Sequence, residues 1–362
     1  TASTDFPTAN AEQPALGGCD PYAGCLNAFV TKFDPTGKTL IYSTYLGGSR
    51  QDQGGAIAVD SNGNAIVAGI ATSSNFPQAG AISSPACQIN NNCYFLASLK
   101  PDGAALNYSG MIGGEQGFAT FGLGGDLAVD ASGNAYLAGT TENSNFQITA
   151  GTLATSVVGY PYNETFVLKV DPTGKLVYST VIPGNDTNST DLLQPYTNDF
   201  VPSGIAVDAA GDVTIAGTAG LGLTTTSGVV GSQFPNAYVN VENASAGFVL
   251  QLNPTASAIN FASYLPGTDY GRGLAVDAVG NFYLTGGTQE TNLPISANAY
   301  QKAPVKIPDG QIEGAYVMVL NPKATAILGA TYLGAGAVGG YGFTAVALDS
   351  HDNIFVGGNG GG

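Results

Sequence analysis

The sequence predicts an all-β fold, a β-propeller with five four-stranded blades of about 70 residues each. Three observations predict it: a hairpin-like stretch that occurs five times, a composition poor in charged residues, and strand patterns that suit close packing on both faces. Charged residues make up 10% of the chain, and Gly accounts for 52 of its 362 residues. The good helix formers Lys, Glu and Arg are scarce while Val, Ile, Thr and Tyr are common, which favours strands.

The repeated stretch is clearest at residues 56–69, which read AIAVDSNGNAIVAG. Two short apolar runs flank a polar turn, and Asn and Gly tolerate the positive φ angles that tight hairpin turns need. We expect the aspartate of each copy to cap its turn by accepting hydrogen bonds from turn amides. Catalytic groups usually occur once, so a fivefold repetition favours this structural role. The five aspartates are Asp60, Asp130, Asp208, Asp277 and Asp349.

Each repeat also carries two strands before its hairpin. The first is led by an aromatic residue and ends in a turn such as Asp34-Pro35-Thr36-Gly37, and the second contains a run like Tyr-Ser-Thr-Tyr-Leu before Gly-Gly. Four strands with a period of about 70 residues are typical of propeller blades, whereas a solenoid would have a shorter period. We predict a single propeller domain over residues 1–362, with a connector or closing segment at 1–26 and blades at 27–77, 94–147, 165–228, 247–295 and 315–362.

The third strand of each repeat alternates large and small residues, as in Ile57-Ala58-Val59. Successive side chains of a strand point to opposite faces of its sheet. A large residue on one face and Ala on the other would let a sheet pack closely between two neighbours. A sandwich or barrel would more often show one solvated face.

These motifs resemble the SBBP-type bacterial β-propeller repeat family. The resemblance covers almost the whole chain, and the first repeat matches nearly throughout, at residues 34–37, 42–48, 58–64 and 72–77. The third repeat departs from it with Pro183-Gly184 in place of Gly-Gly, and the fifth with a turn at 350–353 that lacks Gly-Asn. The family implies large secreted or surface bacterial proteins without assigned chemistry. Its name implies seven blades, where this chain has five strand sets.

The four cysteines form two matching pairs, Cys19 with Cys25 and Cys87 with Cys93, each just before the first strand of a repeat. Equivalent placement predicts two local disulfides, since zinc usually takes closer cysteine spacings with further ligands. Disulfides in turn predict an oxidising, extracellular or cell-surface location.

Charge and composition limit the partners. A net charge of −16 disfavours nucleic acid, and no apolar run reaches the roughly 20 residues of a membrane span. Tyr and Asn in the loops suit a protein or glycan partner at the cell surface, because rings stack and amides form hydrogen bonds. The tyrosines concerned are Tyr160, Tyr162, Tyr196, Tyr238, Tyr270 and Tyr341.

The residues offer little for catalysis. The only imidazole, His351, lies in a predicted turn, so a nucleophile with a histidine base is not expected. The sequence thus predicts a chain that is not an enzyme but a secreted or cell-surface structural or binding module, as part of a larger surface or fibre-forming protein. No cofactor is expected. Asp52 and Asp269 are weak Ca²⁺ candidates that lack the dense oxygen ligands of a calcium loop. The alternative is a propeller enzyme acting on extracellular polysaccharide, with carboxylates at its channel mouth.

The two ends of the chain fit together in sequence. The last repeat stops where the others continue into Thr-x-Ser-x-Phe-Pro, and the chain begins with that motif at residues 1–7. One interpretation is that five blades close into a ring through this seam. The other is that the chain is an excerpt of a longer array, or joins a neighbouring copy and self-assembles into filaments. Since the chain begins at Thr1, we expect either a removed leader or a longer parent chain.

Overall fold

The computed structural model describes residues 1–19, 24, 26–82, 93–113, 126–157, 164–184, 200–235, 245–306, 312–334 and 343–358. Every regular element in these ranges is a β-strand, which confirms the all-β prediction. Among the same residues, none forms a helix long and apolar enough to cross a membrane. The chain divides into an N-terminal unit, Thr1–Tyr160 with Phe166–Val181, and a C-terminal unit, Pro161–Thr165 with Ile182–Gly362.

The first ten strands form one two-stranded sheet and two four-stranded antiparallel sheets. The two-stranded sheet pairs β1 with β2, and the others have the orders β3-β4-β5-β6 and β7-β8-β9-β10. Neighbours in sequence are thus neighbours in the sheet. The strands are β1 Ala28–Phe33, β2 Leu40–Leu46, β3 Asp52–Val59, β4 Ala65–Ala71, β5 Cys93–Leu99, β6 Leu106–Ile112, β7 Asp126–Val129, β8 Ala135–Thr141, β9 Glu164–Val170 and β10 Leu176–Val181.

The remaining strands repeat this pattern and end in a second two-stranded sheet. One sheet has the order β11-β12-β13-β14, the next runs β15-β16-β18-β19 with the short β17 beside β18, and β20 pairs with β21. The strands are β11 Phe200–Val207, β12 Val213–Ala219, β13 Ala246–Leu252, β14 Ile259–Tyr264, β15 Tyr270–Val276, β16 Phe282–Thr288, β17 Val305–Lys306, β18 Ile312–Leu320, β19 Ile327–Leu333, β20 Phe343–Leu348 and β21 Ile354–Gly358.

The sheets are out of phase with the sequence repeats. Each complete sheet joins the hairpin of one repeat to the first two strands of the next, as in β4 pairing with β5 from Ala65 opposite Leu99 to Ala71 opposite Cys93. The predicted blade segments, such as 27–77, therefore each contribute to two sheets. A linear repeat defines a period and not a starting point, and here the pairing runs across the connector.

Hydrophobic cores lie between successive sheets of each unit. In the N-terminal unit, Tyr94 and Leu96 of one sheet pack with Leu137 and Phe166 of the next. In the C-terminal unit, a second core contains Phe261 of one sheet and residues such as Phe282, Leu284 and Tyr316 of the next. These sheets therefore bury apolar side chains between them, as the alternation of large and small residues predicts.

One strand departs from the expected packing. Ile57 and Val59 on β3 are 59% and 65% exposed, although both belong to the large-Ala-large pattern. The core on that side of the sheet instead joins β1 and β2 to residues of β4 and β5, such as Val67 and Phe95. The corresponding face of β3 is therefore left open.

A glycine lies opposite an aromatic residue in three of the complete sheets. Gly69 on β4 faces Phe95 on β5, Gly217 faces Phe248, and Gly286 faces Tyr316. A Cβ atom on Gly69 would come within 2.5 Å of Phe95 Cε1. At Gly69 the aromatic ring thus occupies space where a side chain would lie.

Candidate functional site

The five hairpin aspartates share one geometry. Oδ1 of Asp60 accepts hydrogen bonds from the backbone N–H groups of Asn62 and Asn64, both at 2.9 Å. The other four aspartates accept the equivalent two bonds at 2.8–3.0 Å. Burial alone would raise the pKa of Asp60, but the hydrogen bonds from Asn64 and Asn62 outweigh it and hold that pKa below its ordinary value.

Four of the turns have a further hydrogen bond that the third lacks. In these four, the asparagine four positions on donates Nδ2–H to the aspartate Oδ2 at 2.7–2.8 Å, as from Asn64 to Asp60. In the third turn this position is Asp212, whose carboxylate has no N–H to donate. Among the described residues, no side chain donates to Oδ2 of Asp208. The turn therefore holds two carboxylates, one of which has an oxygen available to a ligand.

This unusual turn lies at a groove in the C-terminal unit. The groove has a volume of about 950 Å³ and lies between the sheet β11–β14 and the sheet containing β15, β16, β18 and β19. That is the size range in which small-molecule sites occur. Its polar lining includes Asp208, Asp212, Thr214, Thr226, Ser227, Gln251, Asn260 and Lys323, and its apolar lining includes Val276, Val279, Phe261 and Phe282.

A row of polar side chains crosses three strands in one wall of the groove. Asn260 Nδ2 donates to Gln251 Oε1 at 3.1 Å, and Gln251 Nε2 donates to Thr214 Oγ1 at 3.1 Å. Each amide nitrogen has a second N–H, and each carbonyl oxygen a second lone pair. The wall can therefore both donate to and accept from a ligand rich in hydroxyl groups.

At the matching turn of the N-terminal unit, a lysine lies beside the aspartate Asp130. Lys169 on β9 occupies the place that Gln251 has on β13, and its Nζ lies 3.8 Å from Asp130 Oδ2. The same ammonium group lies 4.9 Å from the centroid of the Tyr136 ring. Tyr136 also donates its hydroxyl to Asp130 at 2.9 Å. The two units thus share a turn design, but in the N-terminal unit this carboxylate is already occupied.

The weak calcium candidates have structural partners. Asp52 is fully buried and accepts hydrogen bonds from Gly48 N at 2.7 Å, Ser73 Oγ at 2.7 Å, Thr72 N at 3.1 Å and Ser73 N at 3.2 Å. It therefore ties the start of β3 to the segment after β4. Within the described ranges, no three His, Cys, Asp or Glu side chains are grouped so that they could hold a metal ion.

Asp269 has the position in its repeat that Asp52 has in the first. It is 8% exposed and accepts a hydrogen bond from Gln289 N at 2.5 Å. Burial raises the pKa of Asp269 to about 6, and the hydrogen bond from Gln289 only partly offsets this effect. A buried carboxyl that titrates in this range links folding to pH.

Only some of the other predicted residues lie within the described ranges. Cys19 and Cys93 each take part in a disulfide bond. Cys25 and Cys87 lie outside the described residues, so the two local pairings stay predictions. Tyr270 opens β15 and lies 5.7 Å from the Arg272 guanidinium carbon, measured to the ring centroid. The remaining five loop tyrosines fall outside the described ranges. His351 is exposed in the last hairpin turn, as expected for a turn residue.

The groove residues Asp212, Gln251, Asn260 and Lys323 were not predicted from the sequence. One signal could have found the first: aligned on its aspartate, the hairpin has Asn at this position in four repeats and Asp only in the third. The other three are ordinary strand and turn residues in sequence. Only the packing of two sheets brings them to one groove.

Comparison with known proteins identifies the repeat. Residues 41–77 match the SBBP family model, described as a beta-propeller repeat, which confirms the resemblance drawn from the sequence. The match spans β2, β3 and β4, including the hairpin of the first repeat. No curated protein matches the chain.

Solved structures provide a correction. A point mutant of the Synechocystis apocarotenoid oxygenase is 8% identical, with 88% of this chain and 70% of that chain covered and a TM-score of 0.35. A candidate gluconolactonase is 12% identical, with 96% of each chain covered and a TM-score of 0.29. Both are enzymes by name, so the prediction that this chain is not an enzyme is withdrawn. Likeness at this level assigns no reaction to it.

Proposed function

We propose, from the premise that the chain carries the SBBP β-propeller repeat, that it is a five-bladed propeller module outside the cell that binds a neutral glycan. The ligand would lie in the groove of the C-terminal unit. The single observation that carries the proposal is the third hairpin turn, where Asp212 replaces asparagine and leaves a carboxylate oxygen of Asp208 available at the groove.

The strand count supports five blades. Four complete sheets occur among the described residues, and the sheets β1–β2 and β20–β21 each have two strands there. A complete sheet joins a hairpin to two further strands, and β20–β21 is a hairpin while β1 and β2 are the two strands that would follow one. Together they have the strand content of a fifth blade.

Charge and cysteine use support the location and the ligand class. The net charge of −16 repels anionic polymers, which favours a neutral ligand. The disulfide-bonded Cys19 and Cys93 suit an oxidising compartment outside the cell. Carboxylate and amide groups of the groove wall can pair with sugar hydroxyls, and the apolar side chains beside them can contact sugar ring carbons.

Replacing one carboxylate tests the proposal. Asp212→Asn restores the turn of the other repeats, in which the new amide donates to Asp208 Oδ2. We expect the protein to become more stable by about 1 kcal/mol, from one added hydrogen bond and one removed charge. We expect it to bind a neutral gluco-oligosaccharide at least about tenfold more weakly by titration calorimetry, since the available oxygen of Asp208 is then occupied.

The control makes the reverse substitution, asparagine to aspartate, at another turn. Asn353→Asp recreates the pair of carboxylates in the exposed turn between β20 and β21, away from the groove. It should lower stability without changing glycan affinity. Unchanged affinity in Asp212→Asn, or equal binding of polygalacturonate and the neutral oligosaccharide, would contradict a neutral-glycan site in this groove.

A second candidate function is cleavage of an extracellular polysaccharide. The observation that favours it is the presence of two carboxylates, Asp208 and Asp212, in one groove wall, since a carboxyl pair can supply the acid and base of glycoside hydrolysis. Release of new reducing ends from a neutral glucan by the wild-type protein, lost in Asp212→Asn, would support it. Binding without release would favour the binding module.

A further inference from the structure

A smaller pocket lies within the N-terminal unit, lined by the sheet β3–β6, the sheet β7–β10 and the segments that follow β4 and β8. Its volume is about 250 Å³. An apolar cavity of about 150 Å³ is enough to hold a benzene molecule, so this pocket has room for one substituted ring. Its apolar lining belongs to the core of the unit and consists chiefly of Ile82, Ile112, Phe146, Leu168, Val170 and Leu176.

Ser179 on β10 adds a buried hydroxyl group to this apolar pocket. It is 1% exposed and lies opposite Leu168 in the β9–β10 register, so both side chains are on the sheet face that lines the pocket. Among the described residues, no group forms a hydrogen bond with its Oγ. A buried hydroxyl without a partner is unfavourable, since it loses its hydrogen bonds to water and gains none. A ligand with a polar group at this point would satisfy it.

The serine at the same position one repeat earlier already has a partner. Ser109 Oγ donates to the carbonyl oxygen of Pro77, in the segment after β4, at 2.8 Å. The residue that matches Pro77 in the segment after β8 is Gln147, and it lines the pocket together with Ser179. The pocket therefore occurs at a place where the preceding repeat has a closed contact.

A cation lies at the mouth of the pocket. Lys175, in the turn before β10, is exposed and contributes to the lining. The carboxylate of the same turn, Asp171, accepts hydrogen bonds from the backbone N–H groups of Thr173 and Lys175. An ammonium group on a flexible stem can pair with a ligand carboxylate here. Lys175 and Ser179 are four residues apart, up to about 13 Å along a strand, so a ligand that reaches both has polar groups at opposite ends.

We propose that this pocket is a second ligand site, which binds a single-ring aromatic carboxylic acid with a hydroxyl group opposite its carboxylate. The ring lies among the apolar side chains of the pocket, where Phe146 can pack against it edge-to-face or offset. The carboxylate pairs with Lys175, and the ring hydroxyl forms a hydrogen bond with Ser179. This ligand class differs from a neutral glycan, and the site does not rest on the proposed function of the groove.

Ser179→Ala tests the hydrogen bond inside the pocket. Alanine already occupies this position in the fourth and fifth repeats, as Ala262 and Ala330, so the variant should fold. By titration calorimetry, we expect the wild type to bind para-hydroxybenzoate with a Kd of about 1 mM or tighter. The variant should bind it about fivefold more weakly, because one hydrogen bond is lost. Benzoate, which lacks the hydroxyl group, should bind both proteins equally.

Ser109→Ala is the matched control. It removes a hydroxyl from the same strand position one repeat earlier, where the hydroxyl bonds to Pro77 and does not line the pocket. Its melting temperature should fall while its affinity for para-hydroxybenzoate stays unchanged. Ser179→Ala should show the reverse, with weaker binding and no loss of stability, since an unpartnered hydroxyl contributes no hydrogen bond to the fold.

Lys175→Met tests the contact with the carboxylate. It should weaken binding of para-hydroxybenzoate several-fold and reduce the effect of added salt on the affinity. Binding of para-hydroxybenzyl alcohol, which has no carboxylate, should not change. Lys38→Met is the control, because Lys38 has the same position in the Asp-Pro-Thr-Gly-Lys turn of the first repeat and does not line the pocket.

Three results would overturn the proposal. The first is a wild type that gives no binding signal with para-hydroxybenzoate at about 10 mM, by calorimetry or ligand-observed NMR. The second is a Ser179→Ala variant that binds this acid as tightly as the wild type. The third is equally tight binding of hexanoate, which would mean that the pocket does not select a ring. Glycan titration of the same variants should match the wild type, which distinguishes a failure of this pocket from a failure of the groove.

Discussion

At the scale of single residues, two buried aspartates occupy matching places in their repeats. Asp269 is held with its pKa raised to about 6 by burial, while Asp52 has four hydrogen-bond donors around its oxygens. Asp52 therefore ties the start of β3 to the segment after β4, while the Asp269 carboxyl makes its repeat sensitive to pH.

The Asp269 carboxyl predicts a fall in stability between about pH 4 and pH 6. Its folded pKa is raised, so below about 4 the carboxyl is protonated in both states, and above 4 the unfolded state loses its proton first. The free energy of unfolding should drop by up to about 3 kcal/mol across this window, then level off. Asp269→Asn should remove the drop and stabilise the protein at pH 7, as measured by urea unfolding at several pH values.

Asp52→Asn is the matched comparison. An amide at this position would direct N–H groups at backbone N–H donors, so stability at pH 7 should fall by about 1–3 kcal/mol. If both asparagine variants shifted stability in the same direction, the contrast between the two sites would not hold.

Backbone strain at the last hairpin turn gives another prediction. Asp352 has φ of 60°, at a position where the other four hairpins have Gly63, Gly133, Gly211 and Gly280. A left-handed φ costs most residues about 1–2 kcal/mol and glycine little. Asp352→Gly should therefore raise the free energy of unfolding by about 1 kcal/mol in chemical denaturation.

Ala256 offers a control for that prediction. It has φ of 51° at the equivalent glycine position of another turn class, but its methyl group is fully buried. Ala256→Gly relieves the same strain and loses that burial, so its net effect should be near zero. A gain as large as that of Asp352→Gly would mean that φ strain alone does not set the difference.

Single residues were predicted unevenly from the sequence. The capping aspartates follow from local chemistry, since a carboxylate beside Asn-Gly closes its own turn. The position of Asp212 at a groove does not follow, because the other sheet contributes lining residues from Val276 to Thr325, far from Asp212 in the chain. Local rules do not report which turn will face another sheet.

At the scale of strands and sheets, Phe95 and the backbone of Gln53 leave no room for a side chain at Gly69. Gly69→Ala should destabilise the protein by about 1–3 kcal/mol through overpacking, because its Cβ would meet Gln53 O at 2.0 Å and Phe95 Cε1 at 2.5 Å. Gly54→Ala, directly opposite on β3, has only contacts of 3.7 Å or more and should change little. Thermal unfolding followed by circular dichroism would measure both.

Strand positions were predicted well and sheet membership was not. Apolar alternation and turn residues indicate β1 to β4 closely, since both are local signals. They contain no information on whether β4 pairs next with β5, and that pairing spans the connector at residues 72–92. The predicted blade segments therefore kept the right strands but grouped them differently.

At the scale of the whole molecule, acid stability reflects many turns at once. Hydrogen bonds hold the pKa of Asp34, Asp60, Asp130, Asp171, Asp277 and Asp349 below the ordinary value. A lowered pKa contributes stability above the unfolded value near 4, and that contribution is lost as pH falls through the folded pKa. Asp269 acts in the opposite direction above pH 4.

The combined profile should have its maximum near pH 4–5. We expect melting temperature to fall steeply below pH 4 and more gently towards pH 6. Added salt should raise it at pH 7, where the net charge is −16, and much less near the isoelectric point of about 4.1. A profile that rises steadily from pH 4 to pH 8 would contradict the role given to Asp269.

The shift between sequence repeat and sheet has a practical consequence for dissecting proteins of this kind. A fragment cut at the sequence-repeat boundary ends with a hairpin whose partner strands remain in the discarded part. Each such cut therefore exposes the edges of two strands that are paired in the intact sheet. The loop between the second and third strands, residues 47–51 in the first repeat, is where a cut leaves whole sheets on both sides. Expression boundaries and circular permutations placed there should yield the most soluble pieces of such an array.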